Sequence, residues 1–190
     1  MSEQIDRSQD FSEQEGIRRA KLQELEAQGA SPYLQTRFER SHLSQAIKDN
    51  IEQLNGQPVS IAGRMMTRRV MGKASFAHIL DGEGRIQAYI KRDDIGQDAY
   101  QAFKNYDLGD ILGITGTAFI TQTGEVSVHA KEVALLSKCL KPLPDKWHGL
   151  QDVDLRYRQR YLDMIVNPEV RDTFVKRNAI INAIRRFADS

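Results

Sequence analysis

The spacing of the apolar residues changes at Pro58, and that change restricts the fold more than any other feature of the chain. Before it, Leu43, Ile47, Ile51 and Leu54 recur at helical spacing, in a stretch opened by Ser41 and closed by Asn55-Gly56. After it, Val59, Ile61 and Gly63 alternate with Ser60, Ala62 and Arg64, the two-residue repeat of a strand entering a curved sheet. A second strand is predicted over Ala74 to Asp81 and a third over Arg85 to Lys91. Asp81-Gly82-Glu83-Gly84 joins them as a hairpin turn, where glycine tolerates the positive φ of tight turns. Helical spacing then returns in Ile95, Ala99, Ala102, Phe103 and Tyr106, within a helix predicted from Asp93 to Tyr106. Two more strands follow, Ile111 to Thr121 and Glu125 to Ser137, joined by Thr123-Gly124.

Three strands, a helix and two strands is the order of an OB-fold, a small five-stranded Greek-key barrel. A different five-stranded barrel is the alternative. The predicted class is mainly β with flanking helices. Met1 to Phe11 is expected to be unstructured. Ser12, followed three residues later by Glu15, has the form of a capping box that opens a helix with Ile17, Ala20, Leu22 and Leu25 as its apolar stripe and Gly29 as its stop. Its Arg18, Arg19 and Lys21 suit a helix docked on its neighbours or one that touches RNA. Lys141-Pro142-Leu143-Pro144-Asp145 reads as a linker, because proline lacks an amide hydrogen and restricts its predecessor. Asn167-Pro168 opens a last helix with Phe174, Arg177, Ile181, Ile184 and Ala188 on one stripe, unfinished at Ser190. The expected organisation is a helical extension over 1–57, the barrel over 58–140, a linker over 141–151 and the start of a further domain over 152–190.

Composition narrows the function. The 190 residues are 40% hydrophobic and 28% charged with a net charge of +1, so any attraction to nucleic acid must come from local clustering of Lys and Arg. The lone Cys139 excludes an intramolecular disulfide and a Cys-rich zinc site, and reads as a small apolar residue near a strand end. No apolar run is long enough to span a bilayer, and the polar N-terminus has no signal-peptide core, so a reducing cytoplasm is expected. His42, His78, His129 and His148 show no ligand spacing, and no metal site is expected. Asp93-Asp94 sits at a helix start, where carboxylates favour the dipole; it is not read as a catalytic pair.

The first hairpin carries the chemistry. Gly63-Arg64-Met65-Met66-Thr67-Arg68-Arg69-Val70-Met71-Gly72-Lys73-Ala74-Ser75-Phe76 sets a cluster of cations beside an aromatic residue. Single-stranded RNA calls for both, since cations neutralise its backbone and an aromatic face stacks an unpaired base. Gln87 on the third strand offers donor and acceptor sites to a base edge. Alternation divides the second strand into Phe76, His78 and Leu80 on one face and Ser75, Ala77 and Ile79 on the other. Period alone favours Phe76 in the core over Phe76 facing a ligand. Arg64, Arg68, Lys73, Arg85 and Lys91 are candidate phosphate contacts, though such a surface cation is often only a solvated charge. The run from Arg156 to Arg160 reads either as a helix pairing its cations with Asp152, Asp154 and Asp163, the favoured reading, or as an RNA-contacting patch.

From Val59 onward, long blocks resemble the class IIb aminoacyl-tRNA synthetases, and the lysyl-tRNA synthetases more closely than the aspartyl or asparaginyl ones. They are Gly63 to Phe76, Gly84-Arg85-Ile86-Gln87, Asp107-Leu108-Gly109-Asp110-Ile111-Leu112-Gly113, Thr121-Gln122-Thr123-Gly124-Glu125, Pro142 to Leu150 and Arg156-Tyr157-Arg158-Gln159-Arg160-Tyr161-Leu162-Asp163. The resemblance implies an anticodon-binding OB-fold and, as partner, the anticodon loop of lysine tRNA. By resemblance, Phe76 stacks on the central anticodon uridine, Gln87 and Arg69 hydrogen-bond it, and Glu125 lies near the third base. A carboxylate there accepts the uracil N3 hydrogen, a donor that cytosine lacks. The resemblance makes residues 152–190 the start of a class II catalytic domain, with Asn178 to Asp189 similar to the beginning of the motif 1 helix of the dimer interface. In the full-length enzyme it implies lysine, ATP and Mg2+ as substrates and cofactor, and a homodimer. Motifs 2 and 3, which perform that chemistry, are absent from these residues, so the expectation is RNA recognition without catalysis. The alternatives are a stand-alone OB-fold nucleic-acid-binding protein and an aspartyl or asparaginyl specificity. A lysyl-transferring relative that modifies a translation factor lacks the barrel, which argues against it.

Overall fold

A computed structural model describes residues 13–144, 150 and 152–190. The expected unstructured start, the Ser12 cap, Asp145 to Gly149 of the linker block with His148, and Gln151 lie outside the described residues. The chain forms two compact units, Met1–Pro142 and Leu143–Ser190.

In the first unit five strands close into a barrel: β1 (Pro58–Met71), β2 (Ala74–Leu80), β3 (Arg85–Lys91), β4 (Ile111–Ile120) and β5 (Val126–Ser137), hydrogen-bonded in the order β1-β2-β3-β5-β4. Antiparallel pairing of β1 with β4 completes one side. On the other, β3 meets β5 in parallel through three residue pairs, Gln87–Ser127, Ala88–Val128 and Tyr89–His129. This is the predicted OB-fold. Alternate residues point inward, so Ile61, Met65, Ala77, Ile79, Ile86, Ala88, Ile90, Leu112, Ile114 and Val128 fill a continuous core. Ile47 of α2 (Ser44–Asp49) joins that core fully buried, with Ile51 and Leu54 of α3 (Ile51–Leu54) packed against it. Tyr100 and Phe103 of α5 (Gln97–Asn105) also enter it.

Glycine permits two close approaches in the barrel wall. A Cβ on Gly63 would lie 2.5 Å from the Leu80 carbonyl oxygen, and one on Gly116 would lie 2.0 Å from the His129 carbonyl oxygen. At the latter, the β4–β5 register shifts between Thr115 and Gly116. No other side chain fits where these strands coil so tightly.

Several boundaries differ from the expectation, each for a local reason. The helix expected over Asp93 to Tyr106 is two, α4 (Arg92–Ile95) and α5, separated at Gly96 with φ +90°. Ser41 does not cap the following helix. Its hydroxyl accepts from the Ser60 amide at 2.8 Å, and α2 begins at Ser44, whose amide and hydroxyl both donate to Asp81, at 2.6 and 2.7 Å. Asp81 also organises its own hairpin. Its carboxylate accepts from the amides of Glu83 and Gly84 at 2.8 and 3.0 Å, and neither Gly82 nor Gly84 has positive φ. A 3-10 turn over Pro32–Leu34 had no expectation at all.

Helix α1 (Glu13–Ala27) docks by a mixed face, on which Leu22 and Leu25 of the expected stripe are half-buried while Ala20 is exposed. Glu15 and Arg18 are its buried residues, whereas Ile17 is exposed. Arg18 donates to the carbonyls of Leu108 and Cys139 at 3.1 and 2.6 Å. Lys21 reaches Asp107 at 2.6 Å, and Arg19 pairs with Glu15. Arg18 and Lys21 are thus engaged in docking. Beneath them, buried Lys138 bridges Asp107 at 2.5 Å and Asp110 at 2.7 Å. Asp110 in turn accepts from the amides of Asp107 and Cys139, both at 2.8 Å. Burial pushes the Asp107 carboxyl up, but Lys138 and Lys21 outweigh it and hold the group below its ordinary value.

The second unit comprises α6 (Val153–Arg158), α7 (Arg160–Val166) and α8 (Pro168–Ala188). Asp152 caps α6 by accepting from the Leu155 amide at 2.9 Å. Buried Asp163 gathers Arg156 at 3.0 Å, Asn167 at 2.7 Å and Arg160, while Arg158 pairs with Asp154. The cations of this run therefore meet carboxylates of their own unit. On α8, Phe174 and Ile181 are half-buried and Ile184 is exposed.

The Lys138→Met chain is expected to lose about 3–5 kcal/mol in urea denaturation followed by circular dichroism, because two carboxylates lose their buried partner. Because the folded pKa of Asp107 lies below its ordinary 3.8, its contribution is complete above about pH 4. It is lost as pH falls through the folded pKa. Asp107→Asn should therefore flatten the acid limb of the stability curve while lowering stability at neutral pH.

Candidate nucleic-acid interface

Three of the residues singled out in the sequence, Arg69, Phe76 and Gln87, line one groove, and Glu125 meets Gln87 beside it. Pairing brings Arg69 of β1 opposite Phe76 of β2, Phe76 opposite Tyr89 of β3, and Tyr89 opposite His129 of β5. The neighbouring row is Thr67, His78, Gln87 and Ser127. These two rows share the outer face of the sheet because successive strand residues alternate sides. The groove over them has a volume of about 830 Å³ and is lined by Thr67, Arg69, Phe76, His78, Gln87 and Tyr89 of these rows, with Met71, Phe119, Thr121, Gln122 and Thr123.

Phe76 faces outward, not into the core. Ser75, Ala77 and Ile79 are the buried set of β2, and Phe76, His78 and Leu80 are half-buried on the other side. The period-based preference for a core Phe76 is corrected, and the reason is chemical. Ser75 is tolerated inside because its hydroxyl is hydrogen-bonded to the Tyr100 hydroxyl at 2.8 Å. The Phe76 ring lies 5.0 Å from Tyr89, which is 6.3 Å from Phe119 and 5.2 Å from the His129 imidazole. Together they form an aromatic wall with one face to the groove.

Polar groups stand beside that wall. Glu125, just before β5, joins the residues of the second row. One carboxylate oxygen accepts from Gln87 Nε2 at 2.7 Å and the other meets His78 Nε2 at 3.2 Å. Ser127 Oγ donates to Gln87 Oε1 at 2.9 Å, and Thr67 Oγ1 meets His78 Nδ1 at 2.8 Å. The Glu125 amide donates to Thr121 Oγ1 at 2.9 Å, which fastens the turn that carries it. Glu125 is therefore more than an exposed turn residue. At the end of the wall His129 meets Asp94 at 2.8 Å. That hydrogen bond, with Lys131 and Lys91 nearby, holds the Asp94 carboxyl below its ordinary value.

The candidate cations separate. The Arg69 side chain lines the groove and is exposed. Arg68 turns away, because a bulge between Met65 and Thr67 shifts the side on which β1 residues emerge. Its Nη1 donates to the carbonyls of Phe103, Lys104 and Tyr106, at 3.1, 2.7 and 2.5 Å, and so caps the end of α5. Arg64 donates to the Gly109 carbonyl at 2.6 Å. These two guanidiniums hold the barrel together. Lys73 is exposed in the β1–β2 turn, Arg85 is exposed at the start of β3, and Lys91 is half-buried at its end. Tyr89, Phe119, His78, Thr67 and Ser127 were not singled out as site residues. Tyr89 was within reach of sequence reasoning, since it lies two residues from Gln87 and so on the same face. Among the described residues, no group of three or more His, Cys, Asp or Glu could hold a metal ion, and no helix is long and apolar enough to cross a membrane.

Residues 59–136 match a family described as the OB-fold nucleic acid binding domain of the tRNA anti-codon type. Nearly the whole chain is similar to curated lysine–tRNA ligases. It is 52% identical to that of Pelotomaculum thermopropionicum over 183 residues, covering 96% of this chain and 36% of the relative. It is 50% identical to that of Clostridium tetani over 186 residues, covering 98% and 37%. It is 53% identical to that of Clostridium kluyveri over 169 residues, covering 89% and 34%. The chain thus spans about a third of the length of these relatives.

The outward position of Phe76 has a direct stability test. Phe76→Ala should cost about 1 kcal/mol, the loss of one aromatic pairing. Ile79→Ala, three residues away but inside, should cost about 2–5 kcal/mol in the same denaturation experiment.

Proposed function

Since nearly the whole chain is similar to about a third of the length of lysine–tRNA ligases and residues 59–136 match an OB-fold nucleic acid binding domain, we propose that its barrel reads the anticodon loop of lysine tRNA. The observation that carries this reading is Phe76, an aromatic ring held on the outer face of the sheet between Arg69 and the Gln87–Glu125 pair. An unpaired base stacks on such a ring, and the sheet rows hold polar groups within reach of its edge. Phe76 is assigned the stack on the central uridine, Gln87 and Arg69 its hydrogen bonds, and Glu125 the third base. Lys73 and Arg85, both exposed, are assigned the RNA backbone. Arg64 and Arg68 are not, because their guanidiniums are engaged with carbonyls.

The rest of the notional enzyme is assigned by homology. Residues 1–57 form a helical extension, 58–140 the anticodon-binding domain, 141–151 a linker and 152–190 the start of the catalytic domain. In the longer protein, a cytoplasmic homodimer, lysine would be attached to tRNA at the expense of ATP with Mg2+. The described residues offer no cluster to hold that ion, and no step of the chemistry is assigned to them. Recognition of RNA is the role given to this chain.

Binding of an anticodon stem-loop of lysine tRNA should weaken by about 1–3 kcal/mol in Phe76→Ala, roughly 5- to 150-fold. Unchanged affinity would remove the stacking role. Lys73→Ala and Arg85→Ala should each lower the slope of log affinity against log salt by about 0.7, whereas Arg64→Ala should leave it unaltered.

A further inference from the structure

His78 has no place in the barrel core, yet both of its ring nitrogens are engaged. It lies on the outer face of β2 with its side chain 37% exposed. Thr67 Oγ1 accepts from the His78 backbone amide at 3.3 Å, which leaves its own proton for Nδ1, 2.8 Å away. The Nε2 atom then carries the ring proton and donates it to Glu125 Oε1 at 3.2 Å. On the other side, Ser127 donates to Gln87 Oε1, so the Gln87 amide presents its nitrogen to Glu125 Oε2. Two runs of hydrogen bonds, Thr67 to His78 and Ser127 to Gln87, thus converge as donors on the Glu125 carboxylate, drawn from β1, β2, β5, β3 and the turn before β5.

We infer that His78, oriented by Thr67, is a positioning residue that holds the Glu125 carboxylate as an acceptor beside the Gln87 amide, so that the groove selects uracil over cytosine. The inference rests on the anticodon reading above and names what sets its specificity. Glu125 alone is a poor discriminator, being a half-exposed side chain in a turn with freedom to swing away. Anchored at one oxygen by His78 and at the other by Gln87, it retains spare lone pairs at a fixed place, and Gln87 retains one N–H. The third base then meets an acceptor at a fixed place, while the free N–H of Gln87 serves the central base. Uracil presents N3–H to that acceptor, which matches. Cytosine in the same pose presents a bare N3, so acceptor opposes acceptor.

The test compares equilibrium binding of two RNA hairpins to the 190-residue chain. One has a loop with three consecutive uridines, and the other has cytidine in place of the third. The wild-type chain should prefer the first by about tenfold or more, the effect of a hydrogen bond to a charged group. His78→Gln places an amide nitrogen where Nε2 stands and should keep that preference. His78→Asn reaches only the Nδ1 position and should reduce it to about twofold or less. Thr67→Val, which leaves the imidazole in place, should also reduce it and carries the same test should an imidazole variant melt early. Full preference retained in both His78→Asn and Thr67→Val overturns the inference, as does its equal loss in a folded His78→Gln. A wild-type chain that binds both hairpins equally well overturns this inference alone. One that binds neither overturns the anticodon reading and this inference with it.

Discussion

The barrel closes through a short parallel seam of three residue pairs between β3 and β5, and the rest of the first unit depends on that closure. Antiparallel neighbours extend much further, as the long β4–β5 and β1–β4 registers show. The side chains over the seam supplement its sparse backbone pairing. Ser127 bonds to Gln87, and Tyr89 packs against His129. Gln87 and Tyr89 of these also line the groove. A binding surface placed there inherits its geometry from the closure of the sheet. Positions on strands that the barrel itself must align are held more firmly than positions on loops.

Charge is arranged with similar economy. The chain carries 27 Lys and Arg against 26 Asp and Glu, and several of those cations serve the fold. Arg18, Arg64 and Arg68 each donate to main-chain carbonyls at the ends of barrel elements, and Lys138 is buried between two aspartates. Each removes an unsatisfied carbonyl or carboxylate that burial would otherwise penalise. The cationic hairpin thus mixes structural arginines with a groove-lining one, Arg69, and adjacency in sequence does not separate them.

The order and spans of the strands were legible because alternation and helical spacing leave different traces, and both are long here. Phe76 was legible as a residue of one face but not as inner or outer. Period sorts side chains into two sets without saying which set is buried. The inner set, Ser75, Ala77 and Ile79, looks less apolar than the outer one, and only the Tyr100 hydroxyl, supplied by α5, explains the buried serine. Glu125 and His78 stand 47 residues apart, joined by a parallel pairing that no local pattern announces. The family resemblance located Glu125 but gave no reason for its orientation. The two helices over 92–105 were read as one, since the apolar stripe continues across Gly96 and conceals the break.

The docking of α1 has a consequence for the order in which the chain acquires its structure. Arg18 reaches the Cys139 carbonyl across 121 residues, and Lys21 reaches Asp107 across 86. During synthesis the helix leaves the ribosome before the barrel, but its docking site is completed only when β5 has emerged and Lys138 is in place. Until then its polar groups have only water to bond. The helix therefore behaves as a late latch on a finished barrel, and the slow step before it is the closing of long loops. A segment that precedes the barrel in sequence is, by this geometry, among the last to be secured.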